Sequence, residues 1–150
     1  MRTRTPRALL IALLALPVVA HAGPNAACEF IEVSATSAKD PSIDAELKPL
    51  EKKLKNPPFS AWNTFHLLSR TEKALEKLKP ETITLKAGKI TAIFLELIGK
   101  SKVQLSLSID DDKGKRTVNN TKVTVEAGDW VILGSSEPNN AGHLLALTCK

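Results

Sequence analysis

The side chains best suited to catalysis or metal binding are few and widely spaced in this sequence. Beyond residue 22 the chain has two histidines, His66 and His143, and two cysteines, Cys28 and Cys149. A zinc site or an activated nucleophile needs several such side chains at close spacing, and none of these four has such a neighbour. A hydrolase that uses His66 or His143 with a carboxylate is therefore an alternative that the spacing does not favour.

The carboxylates are numerous but show no catalytic spacing. Glycosidases hold two carboxyl groups about 5 to 10 Å apart in a cleft, and nothing singles out a pair among Glu72, Glu76, Glu81 and Glu96. The sequence has no tyrosine, no Gly-x-Ser-x-Gly motif and no phosphate-binding loop. We therefore predict a protein that is not an enzyme and has no cofactor.

The acidic run Asp110-Asp111-Asp112, followed by Gly114, resembles the start of a calcium-binding loop. An EF-hand requires a glutamate at the twelfth position of that loop, where this chain has Thr121. Aspartate and glycine are also typical of tight turns between strands. We predict a turn here and no metal site.

The first 22 residues have the pattern of a signal peptide. Arginines at positions 2, 4 and 7 precede an apolar run over residues 8–20, and Ala20-His21-Ala22 matches the pattern that signal peptidase cleaves. As a helix the run would be about 20 Å long, too short for a hydrocarbon core of about 30 Å. We predict a single domain over residues 23–150, no membrane span after cleavage, and a location in the periplasm or outside the cell.

The net charge argues against nucleic-acid binding once the signal peptide is removed. The whole chain carries +5, but loss of three arginines reduces its 21 basic residues to 18, against 16 acidic residues, which leaves +2. Arg70 and Arg116 are the remaining arginines, and no basic stripe alternates with aromatic residues. We predict no nucleic-acid partner.

An even number of cysteines in an exported chain predicts one disulfide, between Cys28 and Cys149. Its Cα atoms must lie within about 7 Å, so the first and last strands would lie side by side or face each other. The alternative is a lipid on Cys28, which requires a leucine-like residue where the chain has Asn25.

The region from residue 43 to residue 65 offers a candidate binding surface. Ile43, Leu47, Leu50 and Leu54 recur at helical spacing, which predicts one amphipathic helix that starts or kinks near Pro49. The lysines outside its apolar face are Lys48, Lys52, Lys53 and Lys55. Phe59, Trp62 and Phe65 follow, either as an exposed platform for a ligand or as part of the core.

The rest of the chain alternates as β-strands do. A first strand is predicted over residues 28–36, and strands separated by Gly, Asn and Asp turns follow from residue 79. Residues 69–78 are ambiguous, and the capping-box pair Ser69 and Glu72 favours a short helical turn. The predicted fold is mainly β, an antiparallel β-sandwich or open barrel with one amphipathic helix.

Five short motifs at turns and core strands lie along residues 59–148. They are Phe59-Ser60, Phe65-x-Leu67-Leu68-Ser69, the Gly88 hairpin, Ala127-Gly128-Asp129 and Gly142-x-Leu144-Leu145-x-x-Thr148. In this order they resemble small exported bacterial proteins of unassigned function. The resemblance implies a shared β-rich fold and brings no catalytic residue.

These observations predict a non-catalytic binding or accessory protein of the bacterial envelope that acts through contact with a protein partner. Strand edges, the lysine-bearing helix and the aromatic segment would provide the contact surface. The alternative is a carbohydrate- or lipid-binding module that uses the aromatic segment near Trp62. The oligomeric state is not predicted.

Overall fold

The computed structural model describes residues 25–150, and the predicted signal peptide lies outside this range. The strands of this part of the chain are β1 (Asn25–Thr36), β2 (Ser42–Ile43), β3 (Thr64–Glu76), β4 (Pro80–Leu85), β5 (Gly88–Ile98), β6 (Lys102–Asp110), β7 (Arg116–Glu126), β8 (Val131–Ser136) and β9 (Gly142–Cys149). The helices are a 3-10 helix (Ala45–Leu50), the α-helix α1 (Glu51–Leu54), and two further 3-10 turns (Phe59–Ala61 and Pro138–Asn140). Within residues 25–150 no helix has the length and apolar character needed to cross a bilayer.

The strands form two sheets, which confirms the predicted β-sandwich. One sheet has five strands in the order β2-β3-β1-β9-β8, and the other has four in the order β4-β5-β6-β7. All pairs are antiparallel except β2 with β3, which is parallel. The sheets do not close into a barrel.

The two faces of β1 are both buried, which explains its nearly unbroken apolar sequence. Ala26, Cys28 and Phe30 face the four-stranded sheet and join the core between the sheets. Ile31 and Val33 belong to a second apolar cluster, on the outer face of the five-stranded sheet. The five-stranded sheet is therefore covered on both sides near its centre.

The helical segment, residues 45–54, covers that outer face. Leu47, Leu50 and Leu54 are at most 1 % exposed there, and burial of each stabilises the fold by roughly 1.5 to 3 kcal/mol. This confirms the predicted apolar face, although the segment is a 3-10 helix followed by one α-helical turn, and Ile43 lies in β2. Pro49 lacks the amide proton that a longer α-helix would use, which accounts for the change of helix type.

The expectation of a helical turn in residues 69–78 is wrong, because β3 continues through Glu76. The β1–β3 register shifts where Ser69 faces Glu32 and Leu67 faces Val33, so that Leu68 is an extra residue in β3. Pairing along all of β1 outweighs the weak local signal for a helix. Ser69 uses its hydroxyl to donate to Glu32 rather than to cap a helix.

The predicted disulfide is confirmed. Cys28 of β1 and Cys149 of β9 lie directly opposite each other in the ladder, and their sulfur atoms are bonded. The two strands therefore lie side by side, and both cysteines are buried in the core between the sheets. A disulfide of this kind is typical of proteins that fold in an oxidising compartment.

Candidate functional site

An open groove of about 640 Å³ lies where β2, the helical segment and the start of β3 meet. We call it the Trp62 groove. Its lining residues are Pro41, Ser42, Ile43, Asp44, Ala45, Lys48, Glu51, Leu54, Lys55, Ser60, Trp62, Asn63 and Phe65. This volume lies in the range of about 300 to 1,000 Å³ that is usual for ligand sites.

Trp62 is held in the groove wall by contacts to the chain before β9. Its indole Nε1 donates a hydrogen bond to the Asn140 carbonyl oxygen at 2.7 Å. The indole ring also lies over Gly142 so closely that a Cβ there would be 2.5 Å from a ring carbon. Only glycine at position 142 leaves room for the ring.

The polar groups of the groove are also fixed by hydrogen bonds. The Asp44 carboxylate accepts from His66 Nδ1 at 2.9 Å and from the Leu67 amide at 2.8 Å. The bond from His66, with that from Leu67, lowers the pKa of Asp44. The Asn63 side chain accepts from the Ala38 amide and donates to the Ala38 carbonyl, both at 2.9 Å.

The structure brings together only some of the residues predicted as a binding surface. Lys48 and Lys55 line the groove with Trp62, and Phe65, at 1 % exposure, lies in the core beneath it. Lys55 forms an ion pair with Glu51, in which the two charged atoms are 2.6 Å apart.

The other predicted surface residues lie outside the groove. Lys53 donates to the Trp130 carbonyl at 2.7 Å and forms an ion pair with Asp129 at 3.0 Å. Phe59 packs against the second apolar cluster and approaches Gly134. Lys52 is exposed and is not among the lining residues. Within the aromatic segment, Phe65 lies in the core, whereas Trp62 lines the groove and also packs against the second apolar cluster.

A second polar cluster, which the sequence analysis did not identify, is centred on Glu32 in β1. Glu32 is 0 % exposed and its carboxylate accepts four hydrogen bonds. One oxygen accepts from Ser69 at 3.1 Å and the Lys86 amide at 2.8 Å, and the other from the Ala87 amide at 3.0 Å and His143 Nε2 at 2.9 Å.

The Glu32 carboxylate links the two sheets. Ser69 and His143 belong to the five-stranded sheet, whereas Lys86 and Ala87 form the β4–β5 turn of the four-stranded sheet. Ser69 donates a hydrogen bond to a carboxylate whose pKa is lowered to about 2, and a carboxylate of such low pKa is a weak base. The arrangement stabilises the sandwich.

The ionisation of this pair follows from its surroundings. Burial alone would raise the pKa of Glu32, but hydrogen bonds from His143, the two backbone amides and Ser69 lower it to about 2. The hydrogen bond to Glu32 raises the pKa of His143, against the opposing effect of burial. Both groups therefore favour their charged forms.

A cavity of about 310 Å³ lies beside His143, at the end of the sandwich where the β4–β5 and β6–β7 turns lie. Its walls combine apolar side chains of both sheets with Asp111, Asp112 and Glu137. Asp111 accepts hydrogen bonds from the amides of Lys113 and Lys115, which confirms the predicted turn. Over residues 25–150, the structure contains no group of three or more His, Cys, Asp or Glu side chains placed to hold a metal ion.

One signal for the Glu32 cluster exists in the sequence. In the strand Phe30-Ile31-Glu32-Val33, a glutamate occupies the same face as Cys28 and Phe30, where an apolar residue is expected. Such a position indicates a buried carboxylate that needs partners. No protein family model matches the chain, and no curated protein or solved structure shows significant similarity to it.

Proposed function

We propose that this protein is an exported, non-catalytic accessory protein of the bacterial envelope that binds a segment of a partner protein in the Trp62 groove. The observation that carries the proposal is the groove itself. A fixed indole, two lysines, and hydrogen-bonded Asp44 and Asn63 line one open trough of about 640 Å³.

The backbone of β2 supports an extended peptide as the ligand. Ser42 and Asp44 donate their amides to Asn63 and Phe65, at 3.2 and 3.1 Å. Because successive backbone groups of a strand point in opposite directions, the amide and carbonyl of Ile43 point away from β3, towards the edge of the sheet. A partner strand that pairs with this edge would place its side chains in the groove.

The charges of the groove suit a partner segment that carries a carboxylate. Among the residues that the structure describes, Glu51 is paired with Lys55, and Asp44 is bound to His66 and Leu67, whereas Lys48 forms no ion pair. An acidic side chain on the partner would pair with Lys48 while an adjacent apolar side chain contacts Trp62.

Site-specific photocrosslinking in the native envelope tests this function. A photoreactive residue at Ser60 in the groove is expected to capture one protein reproducibly, whereas the same residue at Lys115, in the β6–β7 turn, is not. The double variant Lys48→Glu and Lys55→Glu should abolish the adduct at position 60, because it reverses both groove lysines. Capture of the same protein from both positions, or an adduct that survives the double variant, would refute the groove as the interface.

A carbohydrate ligand is the second candidate, and the fixed Trp62 ring beside the polar Asp44 and Asn63 favours it. Indole fluorescence separates the two candidates, because the chain has two tryptophans and the variant Trp130→Phe leaves Trp62 alone. Saturable quenching by soluble oligosaccharides, which Lys48→Glu leaves intact, would favour the carbohydrate. No change with any oligosaccharide would eliminate it.

Export is part of the proposal and is tested separately. The disulfide and the arginine-containing apolar leader support it. The N-terminal sequence of the protein recovered from the periplasm should begin at Gly23. Recovery of the protein with Met1 retained in the cytoplasm would contradict this.

A further inference from the structure

Of the strand edges in residues 25–150, that of β8 is the least protected against pairing with another strand. Its sequence, Val-Ile-Leu-Gly-Ser-Ser, contains no charged residue and no proline, and its pairing with β9 has no register shift. The other edge strands have features that hinder such pairing. β2 has only two residues, β4 begins with Pro80 and Glu81, and β7 has register shifts and a φ of 44° at Asn120. An added strand therefore meets the least hindrance at β8.

Three residues of β8 direct their backbone groups away from the sheet. The amide of Glu137, just after β8, donates to the Ala141 carbonyl at 2.8 Å and so points towards β9. Because backbone groups alternate along a strand, the odd-numbered residues of β8 also bond to β9, whereas Ile132, Gly134 and Ser136 face the open edge. Within residues 25–150, the amides and carbonyls of these three residues have no hydrogen-bond partner.

The same edge is closed just before β8 begins. The Trp130 carbonyl accepts from Lys53 at 2.7 Å, and the Trp130 amide donates to the Asp129 carboxylate at 2.8 Å. Side chains of the same copy thus satisfy the backbone of Trp130. The unpaired part of the edge is limited to the three outward-facing residues of β8.

Apolar side chains beside the open edge are only half-buried. Phe59, Trp130, Val131 and Ile132 are of this kind, and they line one open groove of about 390 Å³. The Phe59 ring also lies against Gly134, where a Cβ would be 3.3 Å from a ring carbon. A strand added beside β8 would cover these side chains as well as pair with the backbone.

A second copy of β8 matches the backbone groups of this edge. If two copies pair antiparallel about a twofold axis at Gly134, Ile132 of each copy faces Ser136 of the other. The outward residues of the two copies then exchange about six hydrogen bonds, two for each facing pair. No outward amide or carbonyl of β8 is left without a partner.

Charge does not oppose this pairing. Lys53 and Asp129, beside the start of β8, pair within each copy at 3.0 Å. The two Glu137 side chains lie at opposite ends of the paired strands, about 20 Å apart. The β6–β7 turn contributes two acidic and two basic residues, Asp111, Asp112, Lys113 and Lys115.

We propose that two copies of this protein associate through antiparallel pairing of their β8 strands, which joins the two five-stranded sheets into one. The contact is limited to one short strand and the side chains beside it, which is less than the roughly 1,600 Å² of a standard interface. The dimer therefore dissociates at about micromolar concentrations. β2 lies at the opposite edge of the five-stranded sheet, so the dimer has two accessible Trp62 grooves.

Amide hydrogen exchange measured by NMR tests this proposal on the mature, disulfide-bonded protein. At about 1 mM protein, the protection factors of Ile132 and Gly134 are expected to be at least about tenfold higher than those of Thr82 and Thr84. These two exposed threonines of β4 are the internal control, because their amides also face an open edge.

Proline variants test the same contact by sedimentation equilibrium between about 1 μM and 1 mM protein. Ser136→Pro removes an outward amide and no hydrogen bond to β9, and should raise the dissociation constant of the dimer at least about tenfold. Thr84→Pro makes the same change at the open edge of β4 and should leave the dissociation constant unchanged. The exchange measurement on the parent needs no variant, so it decides the question even if a proline variant does not fold.

Three outcomes overturn the proposal. A parent that remains monomeric at about 1 mM would leave the β8 edge to a different chain. A dimer in which the Ile132 and Gly134 amides exchange as fast as those of Thr82 and Thr84 would place the contact elsewhere. So would a dimer whose dissociation constant is the same in the parent and in folded Ser136→Pro.

Discussion

Glu32 and His143 form an ion pair in a core that is otherwise almost entirely apolar. The carboxylate is fully buried and the imidazole is 15 % exposed, so both lose most of their contact with water. Four donors compensate Glu32 for that loss. Removal of one partner from a buried pair leaves the other charge without compensation, which is the most destabilising change at such a site.

The pair predicts how stability depends on pH. The pKa of His143 is raised above 6.5 in the folded state, so its contribution is complete below pH 6.5 and is lost as pH rises through the folded-state value. The pKa of Glu32 is lowered from 4.5 to about 2, so its contribution is complete above pH 4.5 and is lost as pH falls towards 2. From this pair, stability should be greatest between about pH 4.5 and 6.5.

Urea denaturation at a series of pH values from below 6.5 to well above it measures the His143 contribution. In the parent, the free energy of unfolding should decrease above pH 6.5. In the variant His143→Gln, this decrease should be absent. A decrease of the same slope in the parent and the variant would show that another group is responsible.

Glu32→Gln is predicted to destabilise the protein by about 3 kcal/mol, since its amide group presents a donor to backbone amides that need an acceptor. Chemical denaturation measures the change. Glu96→Gln, at an exposed glutamate in β5, is the matched control and should change stability by less than about 0.5 kcal/mol. A small effect of Glu32→Gln would mean that the four hydrogen bonds contribute little.

At the level of the strands and helices, the sequence predicts which face of an element is buried better than it predicts where the element begins and ends. The spacing of Leu47, Leu50 and Leu54 predicted correctly which side of the helical segment is buried. It did not predict the 3-10 geometry, which depends on Pro49. The helical interpretation of residues 69–78 was wrong because a local pattern cannot show that β1 pairs with the whole of β3.

The candidate site was predictable only in part, for the same reason. Trp62, Lys48 and Lys55 are within 15 positions of one another, so local spacing placed them near the groove. Glu32 and His143 are 111 residues apart, and only the β1–β9 pairing and the β4–β5 turn bring their partners together. Contacts across such separations have no local pattern from which to infer them.

Gly142→Ala is predicted to displace Trp62, because a methyl group at position 142 would lie 2.5 Å from its ring. The expected loss of stability is about 1 to 3 kcal/mol, as is usual for overpacked sites. Fluorescence of Trp62 in the Trp130→Phe background should also shift as the ring becomes more exposed.

Gly99→Ala is the control for that variant. Gly99 has a positive φ and open space around it, so alanine there should cost about 1 kcal/mol through backbone strain alone. The Trp62 fluorescence should not change. Equal spectra for Gly142→Ala and the parent would mean that the ring tolerates the methyl group and that glycine is not required at this position.

For the whole molecule, the disulfide joins two residues near the ends of the described chain and so closes a long covalent loop. Cys28 and Cys149 are separated by 121 positions and both are buried. Replacing both with serine should lower the free energy of unfolding by about 2 to 4 kcal/mol, chiefly because the unfolded chain gains freedom. Urea denaturation of the variant and the parent measures this. Equal midpoints would show that the bond does not constrain the unfolded chain.

The position of β1 has a consequence for the order in which the chain completes its fold. β1 is the first strand of the described chain, yet its neighbours are β3 and β9, and β9 begins only at Gly142. A polypeptide that crosses a membrane with its N-terminus first would expose β1 long before β9 emerges. After crossing, the five-stranded sheet remains incomplete until β9 has also crossed, near the end of translocation. Before crossing, the sheet cannot be completed while β9 has not yet been synthesised. In an exported chain, this strand order by itself would delay closure of the five-stranded sheet.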